Sequence, residues 1–320
     1  MSSLMKNQIK GYLFVVGAAI LWGSSGTASK ALFQGGMTPF ELVQIRVTLS
    51  AVILGAIFGV FSRETLRVRV KDLGYLLVLG GVAMAMVQST YLFAISKIQV
   101  AAATFLQYLS PVLVAFFSVC FWKERLNVFK VAALMLSLGG LYLVVGGYNI
   151  HLLQMNRMGI IGGLGAAVSA AGYTLLGERG MHRYRPSTLL FYAMAFAALT
   201  WHVIYPPFHY ITAGFAWVQW RWLLYIAIAG TIFPFGLYFT GINYIRSTRA
   251  IITATMEPIS AGFLAFFFLG EAFGPLQILG GALVVCAIVL LQVKREKDLM
   301  TPELIRASRT QGRSPKNGLI

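Results

Sequence analysis

The chain has 320 residues, of which 58% are hydrophobic and only 11% charged, against about 25% charged in an ordinary soluble domain. Such a chain has too little polar surface to face water on every side, which excludes a water-soluble globular protein. The formal net charge of +16 first suggests a nucleic-acid partner, but the Lys and Arg fall between apolar stretches and in the C-terminal tail, where they read as topology signals.

Long apolar runs follow one another with short basic interruptions, and several exceed the roughly 20 residues that a helix needs to cross about 30 Å of hydrocarbon. The first is too long for a signal-peptide core and lacks a cleavage site, so it is read as a permanent helix. Ten spans are expected, near 12–32, 39–61, 73–95, 99–121, 128–148, 158–178, 187–206, 221–242, 249–270 and 275–293. With the N-terminus cytoplasmic, the inner segments hold Lys6 and Lys10, the group from Arg63 to Lys71, Lys123 to Lys130, Arg179 to Arg185, Arg246, Arg249 and the tail cluster. The outer side receives only Lys30, Lys97, Arg157 and Arg221, and Arg46 lies within a span. This asymmetry puts both ends inside and supports an even number of spans. Cys120 and Cys286 fall in apolar segments and are expected to be small core residues, so neither a disulfide framework nor a metal site is implied.

A shift of 147 residues aligns Pro39 with Pro186, Tyr91 with Tyr238, Pro111 with Pro258 and Glu124 with Glu271. A shift of 148 aligns Gly11 with Gly159, and Gly17, Ala18 and Ala19 with Gly165, Ala166 and Ala167. The fold class expected is therefore an all-α integral membrane protein of ten transmembrane helices, arranged as two inverted five-helix repeats. Its parts would be a cytoplasmic N-terminus (1–11), a first repeat (12–148), a second, inverted repeat (149–293) and a basic cytoplasmic tail (294–320) expected to be disordered. An odd number of spans per half forces the two copies into opposite orientations, a design that recurs among secondary transporters.

The chain resembles the EamA-type members of the drug/metabolite transporter superfamily from Gly11 to about Gln292. The resemblance is carried by Gly17 to Gly23 in span one, Arg46 in span two, Leu109-Ser110-Pro111 and Lys123-Glu124-Arg125 around span four, and Glu257-Pro258-Ile259, Leu269-Gly270-Glu271 and Gly280-Gly281 in the second half. The second half departs from the first by carrying Ala193 where the first has Arg46, and span six lacks the Trp-Gly pair. The resemblance implies export of small metabolites, commonly amino acids or their relatives, through a cavity lined by spans one, three, four, six, eight and nine, in a bacterial inner membrane.

Spans four and nine each carry a mid-helix proline. Proline has no N–H, so the carbonyls of Gln107 and Ala254, four residues before Pro111 and Pro258, lose their helical partners. Paired breaks of this kind point to a midplane binding site at the repeat interface. The polar and aromatic residues expected around it are Trp22, Ser24, Ser25, Gln88, Tyr91, Thr104, Gln107, Tyr108, Tyr173, Tyr238, Thr255 and Glu257, a set suited to an amphipathic metabolite.

Arg46 and Glu257 are intramembrane charges that need partners. Arg46 is expected to serve structure; for Glu257 two roles stand open, either a site for an ammonium group or coupling proton, or a cap for backbone groups freed near Pro258. Glu124 and Glu271, just past helix ends, are expected to anchor loops or gates, and Glu178 to pair with Arg179 or Arg183. The four His are scattered without metal-ligand spacing, and no phosphate-binding glycine loop occurs, so no metal or other cofactor is implied. The expected partners are a small-molecule substrate and the lipid bilayer, and spans five and ten are rich enough in small residues to be compatible with a homodimer. A membrane enzyme acting on lipid-linked substrates would need a cluster of acids, His or a nucleophile facing one headgroup region, and a sensor or channel-like protein would pack the central polar positions dry or turn them to lipid.

Overall fold

The computed structural model describes residues 3–98, 100–122, 127–148, 156–206, 210, 214–269, 274–293 and 300–310. Among these, every regular element is helical. In chain order they are α1 (Ser3–Gln34), α2 (Pro39–Phe61), α3 (73–97), α4 (Val100–Gln107), α5 (Ser110–Trp122), α6 (Val128–Val144), α7 (Arg157–Met181), α8 (Pro186–Ile204), α9 (Trp217–Ala254), α10 (Met256–Leu269), α11 (Pro275–Val293) and α12 (Pro302–Thr310). Seven helical stretches are long and apolar enough to cross a membrane, and α6 and α11 are shorter apolar helices.

Local chemistry sets the ends. Thr38 caps α2 by accepting from the Glu41 N–H at 3.2 Å while the Glu41 carboxylate accepts from the Thr38 N–H at 2.7 Å, a reciprocal capping box followed by Pro39. Asn127 and Asn156 cap α6 and α7 through their side-chain oxygens. The proline signals of span four are realised as a break at Tyr108–Leu109, after which Pro111 sits in the first turn of α5, where a missing N–H costs nothing. Thr255 interrupts the chain in the same way ahead of Pro258 in α10.

Spans eight and nine are joined by a sharp turn with no intervening loop. Helical residues run from Trp217 to Ala254, and within them two helices meet at Arg246 (φ 68°, ψ 167°), between the expected end of span eight and the expected start of span nine. This backbone region is essentially reserved for glycine. The arrangement is held by Glu178 of α7, which accepts from Arg246 Nε (3.0 Å), the Ser247 N–H (2.7 Å) and the Ser247 hydroxyl, so the buried carboxylate caps the second half of α9. The expected pairing of Glu178 with Arg179 or Arg183 is thus replaced by one with Arg246, because the turn brings both Arg246 and a free helix N-terminus to it.

The helices pair in a pattern that survives exchange of α1 with α7, α2 with α8, α3 with the first part of α9, α4 and α5 with its last part and α10, and α6 with α11. Thus α1 packs on α9 as α3 packs on α7, α10 on α1 as α4 and α5 on α7, while α2 pairs with α8 and α6 with α11. Individual contacts repeat too. Gly11 leaves no room for a Cβ against Ile245, and Gly159 none against Ile98, the two glycines and the two isoleucines being 148 and 147 residues apart. Gly140 and Gly280 each bring a backbone carbonyl to where the other's Cβ would stand, which sets the close approach of α6 and α11.

Two further expectations are corrected. Cys120 and Cys286 are exposed on the outer surface of the bundle, because they fall on the outward faces of α5 and α11. Part of the tail is ordered: residues 302–310 form α12, started by Pro302 and Glu303 and ended by Arg309, a favourable charge order for a helix dipole. Arg306 Nη1 donates to the carbonyls of Met181 (2.7 Å) and Tyr184 (3.1 Å) and to Asn243 Oδ1 (3.2 Å), and Asn7 of α1 donates to the Glu303 carboxylate (3.2 Å). The two terminal segments therefore meet at one end of the bundle.

Candidate functional site

The broken helices converge on a central cavity of about 110 Å³. Its wall includes Trp22 and Ser25 of α1, Gln88 and Tyr91 of α3, Gln107 and Tyr108 at the α4 break, Tyr173 of α7, Tyr238 of α9 and Glu257 of α10. Of the twelve residues expected around the site from the sequence, nine line this wall and three do not; Thr104 stands behind it, where its hydroxyl is 3.1 Å from that of Tyr91. Ser24 turns outward to the Tyr225 hydroxyl (2.8 Å), and Thr255 bonds back to the Ile252 carbonyl (2.6 Å). Glu124 and Glu271 lie outside the described residues.

The aromatic wall is packed edge to face and stacked. Trp22 meets Phe235 at 5.0 Å and Tyr238 at 5.3 Å between ring centroids, and Tyr173 stacks on Phe239 at 4.8 Å. The Tyr238 hydroxyl shares a 2.9 Å hydrogen bond with Thr174 Oγ1. By contrast, the Gln88 amide nitrogen and the Tyr173 hydroxyl, in residues 4% and 2% exposed, find no hydrogen-bond partner among the described residues. Buried polar groups are nearly always satisfied, so two such groups in one cavity wall mark places where a ligand or water would bond.

The Ala254 carbonyl released by Pro258 accepts from the Tyr108 hydroxyl at 2.8 Å, and the same hydroxyl lies 2.7 Å from Glu257 Oε2. Tyr108, three residues before Pro111, thus ties the break in one half to the break in the other.

Arg46 also lines the cavity. Its Nε donates to Thr231 Oγ1 (3.0 Å) and its Nη2 to the Gly230 carbonyl (2.9 Å). That carbonyl lacks a helical donor because Pro234, four residues on, has no N–H; it lies in a π-helical stretch of α9 over Ile228–Ile232, and α3 has a π-helical stretch at the overlapping repeat position, Val78–Met84. In the first half this stretch closes against backbone, Gly80 facing the carbonyls of Tyr192 and Ala193; in the second, Arg46 fills the corresponding space. The exchange of Arg46 for Ala193 therefore makes the two sides of the cavity chemically unequal. Among the described residues no carboxylate forms an ion pair with Arg46, and Glu257 pairs with no cation.

Sequence reasoning missed Ser29, Ser110, Thr174 and Phe235 in the wall. Ser29 lies one helical turn beyond Ser25 and was discoverable by period; Phe235 carried no polar signal at all.

A helical membrane protein built round a central cavity, with a few polar groups set in an aromatic and apolar wall, is the class these features define. The chain belongs to the EamA-like transporter family, whose model matches residues 9–146 and again 157–293. It is 30% identical over 300 residues to an uncharacterized inner membrane transporter, YicL, of Salmonella typhimurium, covering 89% of this chain and 95% of that one. An uncharacterized transporter of Archaeoglobus fulgidus is 28% identical over 272 residues, covering 84% and 96%. The threonine/homoserine exporter RhtA of Escherichia coli K12 is 28% identical over 298 residues, covering 90% and 92%. A solved crystal structure superposes with a TM-score of 0.71 over 88% of this chain and 96% of that one; at 19% identity it speaks to the fold alone.

Proposed function

We propose that this chain is a secondary transporter that exports amino acids or closely related amphipathic metabolites across the inner membrane by alternating access. Ten spans form two inverted five-helix repeats, with both termini in the cytoplasm. Support for this arrangement comes from the exchange-invariant helix pairing, the double family match and the meeting of Asn7 with Glu303. Inverted halves exchange conformations about a shared site, so the cavity opens to each side in turn.

The observation that carries the reading is one cavity presenting a guanidinium (Arg46), a carboxylate (Glu257) and two unsatisfied donors (Gln88 and Tyr173) inside an aromatic wall. An amino-acid zwitterion matches both signs of charge, its carboxylate facing Arg46 and Gln88 and its ammonium facing Glu257. A water needs roughly 10–15 Å³ of such space, so the cavity has room for several waters or one small metabolite in their place. The relationship to a threonine/homoserine exporter favours small hydroxylated amino acids within that class.

Counterflow in proteoliposomes tests this. Vesicles preloaded with one amino acid should accelerate entry of the same labelled amino acid, with threonine and homoserine in the first panel. Gln88→Leu and Tyr173→Phe should each reduce the exchange by about tenfold, the loss expected when about 1.4 kcal/mol of hydrogen bonding is removed. If folded protein accelerates entry of no amino acid, the substrate class is wrong.

A further inference from the structure

We propose that α12 is a releasable strap across a seam between two groups of helices: docked, it keeps the cavity shut on the side where Asn7 and Glu303 meet, and it must let go before that side opens. This goes beyond the transport reading above and rests on its alternating access.

Helix packing draws the seam. The first part of α9 and α10 pack chiefly on α1, whereas α3, α4 and α5 pack chiefly on α7. The cavity lies between the two groups, since Trp22, Tyr238 and Glu257 come from the first and Gln88, Gln107 and Tyr173 from the second. Its wall is lopsided. Toward one end it reaches Ser29 of α1 and Ile95 of α3, close to where those helices finish. Toward the other it stops on α7 at Thr174 and on α9 at Tyr238. Beyond them the fully buried Phe239 ring occupies the place that a Cβ on Gly177 would take, and the Glu178 carboxylate joins α7 to Arg246 and Ser247. The structure is therefore closed on the side of α12.

One side chain of α12 reaches both groups. Arg306 Nη1 donates to the Met181 and Tyr184 carbonyls at the end of α7 and to Asn243 Oδ1 of α9. One turn earlier, Glu303 accepts from Asn7 of α1. Tyr184 is itself anchored in the α7 group, its hydroxyl donating at 2.6 Å to Asp72, just before α3. These bonds can all form only while the two groups are close at this end. A docked α12 therefore favours the closed state, and opening favours its release.

The strap is built to let go. Nine residues fall short of the roughly 12–15 that an isolated helix needs, so α12 folds only as it docks. Its arrival also gathers like charge: Arg306 and Arg309 come within electrostatic reach of His182, as do Arg179 and Arg246 of the bundle. That repulsion opposes the hydrogen bonds.

The test uses the full-length chain with Cys120→Ser and Cys286→Ser, both at exposed positions, and spin labels on Ile9→Cys of α1 and Leu73→Cys of α3, exposed residues near the closed end. Pulsed electron paramagnetic resonance then measures the distance between the two groups. One short distance should dominate. Adding Glu303→Ala and Arg306→Ala should raise the ratio of a longer distance to the shorter at least about tenfold, since the bonds of both side chains are lost. An unchanged distribution with α12 released, as judged by faster hydrogen exchange over residues 302–310, overturns the proposal. So does a variant whose α12 stays protected, because these side chains then do not hold it. In the same cysteine-free background, Asn7→Cys and Glu303→Cys joined by a short reducible crosslinker should slow amino-acid counterflow at least about tenfold, and reductant should restore it. Full exchange in the crosslinked protein overturns the strap. If the native chain exchanges no amino acid, the substrate reading fails, and the measured distances alone decide the strap.

Discussion

Removing the charge of Glu178 while keeping its shape, as in Glu178→Gln, tests the joint at which the long α9 helix turns. The native carboxylate side chain is 1% exposed and its Arg246 partner 11%, so the pair is shielded from solvent and from salt. Removing one member of a buried pair costs about 3–5 kcal/mol. A second strain sits at the same place, because a non-glycine residue at φ 68°, ψ 167° costs about 1–3 kcal/mol. Arg246→Gly in the Glu178→Gln background removes the buried cation and the strained backbone together, and should recover at least about 2 kcal/mol of the loss. Reversible unfolding in mixed micelles of the native chain, the two single variants and the double variant gives the coupling directly. If Glu178→Gln lies within about 1 kcal/mol of native, or the double variant is no more stable than the single, the carboxylate does not hold the turn.

Adjacent glycines should respond oppositely to one methyl group. Gly140→Ala presses its Cβ into the Gly280 carbonyl and should destabilise by about 1–3 kcal/mol, whereas Gly139→Ala points into open space and should be neutral or gain up to about 1 kcal/mol from helix propensity; the same unfolding assay separates them. His182, just beyond α7, is lowered from 6.5 to about 4 by burial first and then by the positive charges of Arg309, Arg246, Arg179 and Arg306. Because the folded chain disfavours the protonated ring, its contribution to stability is complete above about pH 6.5 and is lost as pH falls toward 4; His182→Gln should flatten stability across that window, and an unchanged acid limb would contradict the assignment. Arg306→Ala removes three hydrogen bonds that hold α12 to the end of α7, to the turn after it and to α9 just before its bend, so hydrogen exchange over residues 302–310 should quicken at least tenfold; unchanged protection would show that other contacts hold the helix.

Much of the cavity was legible because membrane chemistry makes polar residues conspicuous. Gln88, Tyr91, Gln107 and Glu257 stand out against apolar runs, and nothing in hydrocarbon would reward them unless they faced protein or water. Pro111 and Pro258 were equally legible, since a missing N–H has the same effect in any tertiary setting. What each residue bonds to was not legible. Glu178 has two arginines close by in sequence, yet it pairs with Arg246, 68 positions away, because only the turned α9 helix offers a cation and a helix N-terminus together. The Thr-Pro-Glu start of α12 was a usable helix signal that the basic, polar composition of the tail outweighed.

The sequence by itself determined that the chain is a membrane protein, where most of its helices run, that its halves resemble each other and which polar residues are candidates for the interior. Those properties follow from hydropathy and backbone chemistry, which act locally along the chain. Only the tertiary structure decided that Arg46 fills a π-helical gap in α9, that Tyr108 bridges the two proline breaks, and that α12 returns to the end of the bundle where Asn7 lies. Such contacts depend on which helices pack together, and a pair such as Arg46 and Gly230 is separated by 184 residues that local pattern cannot span.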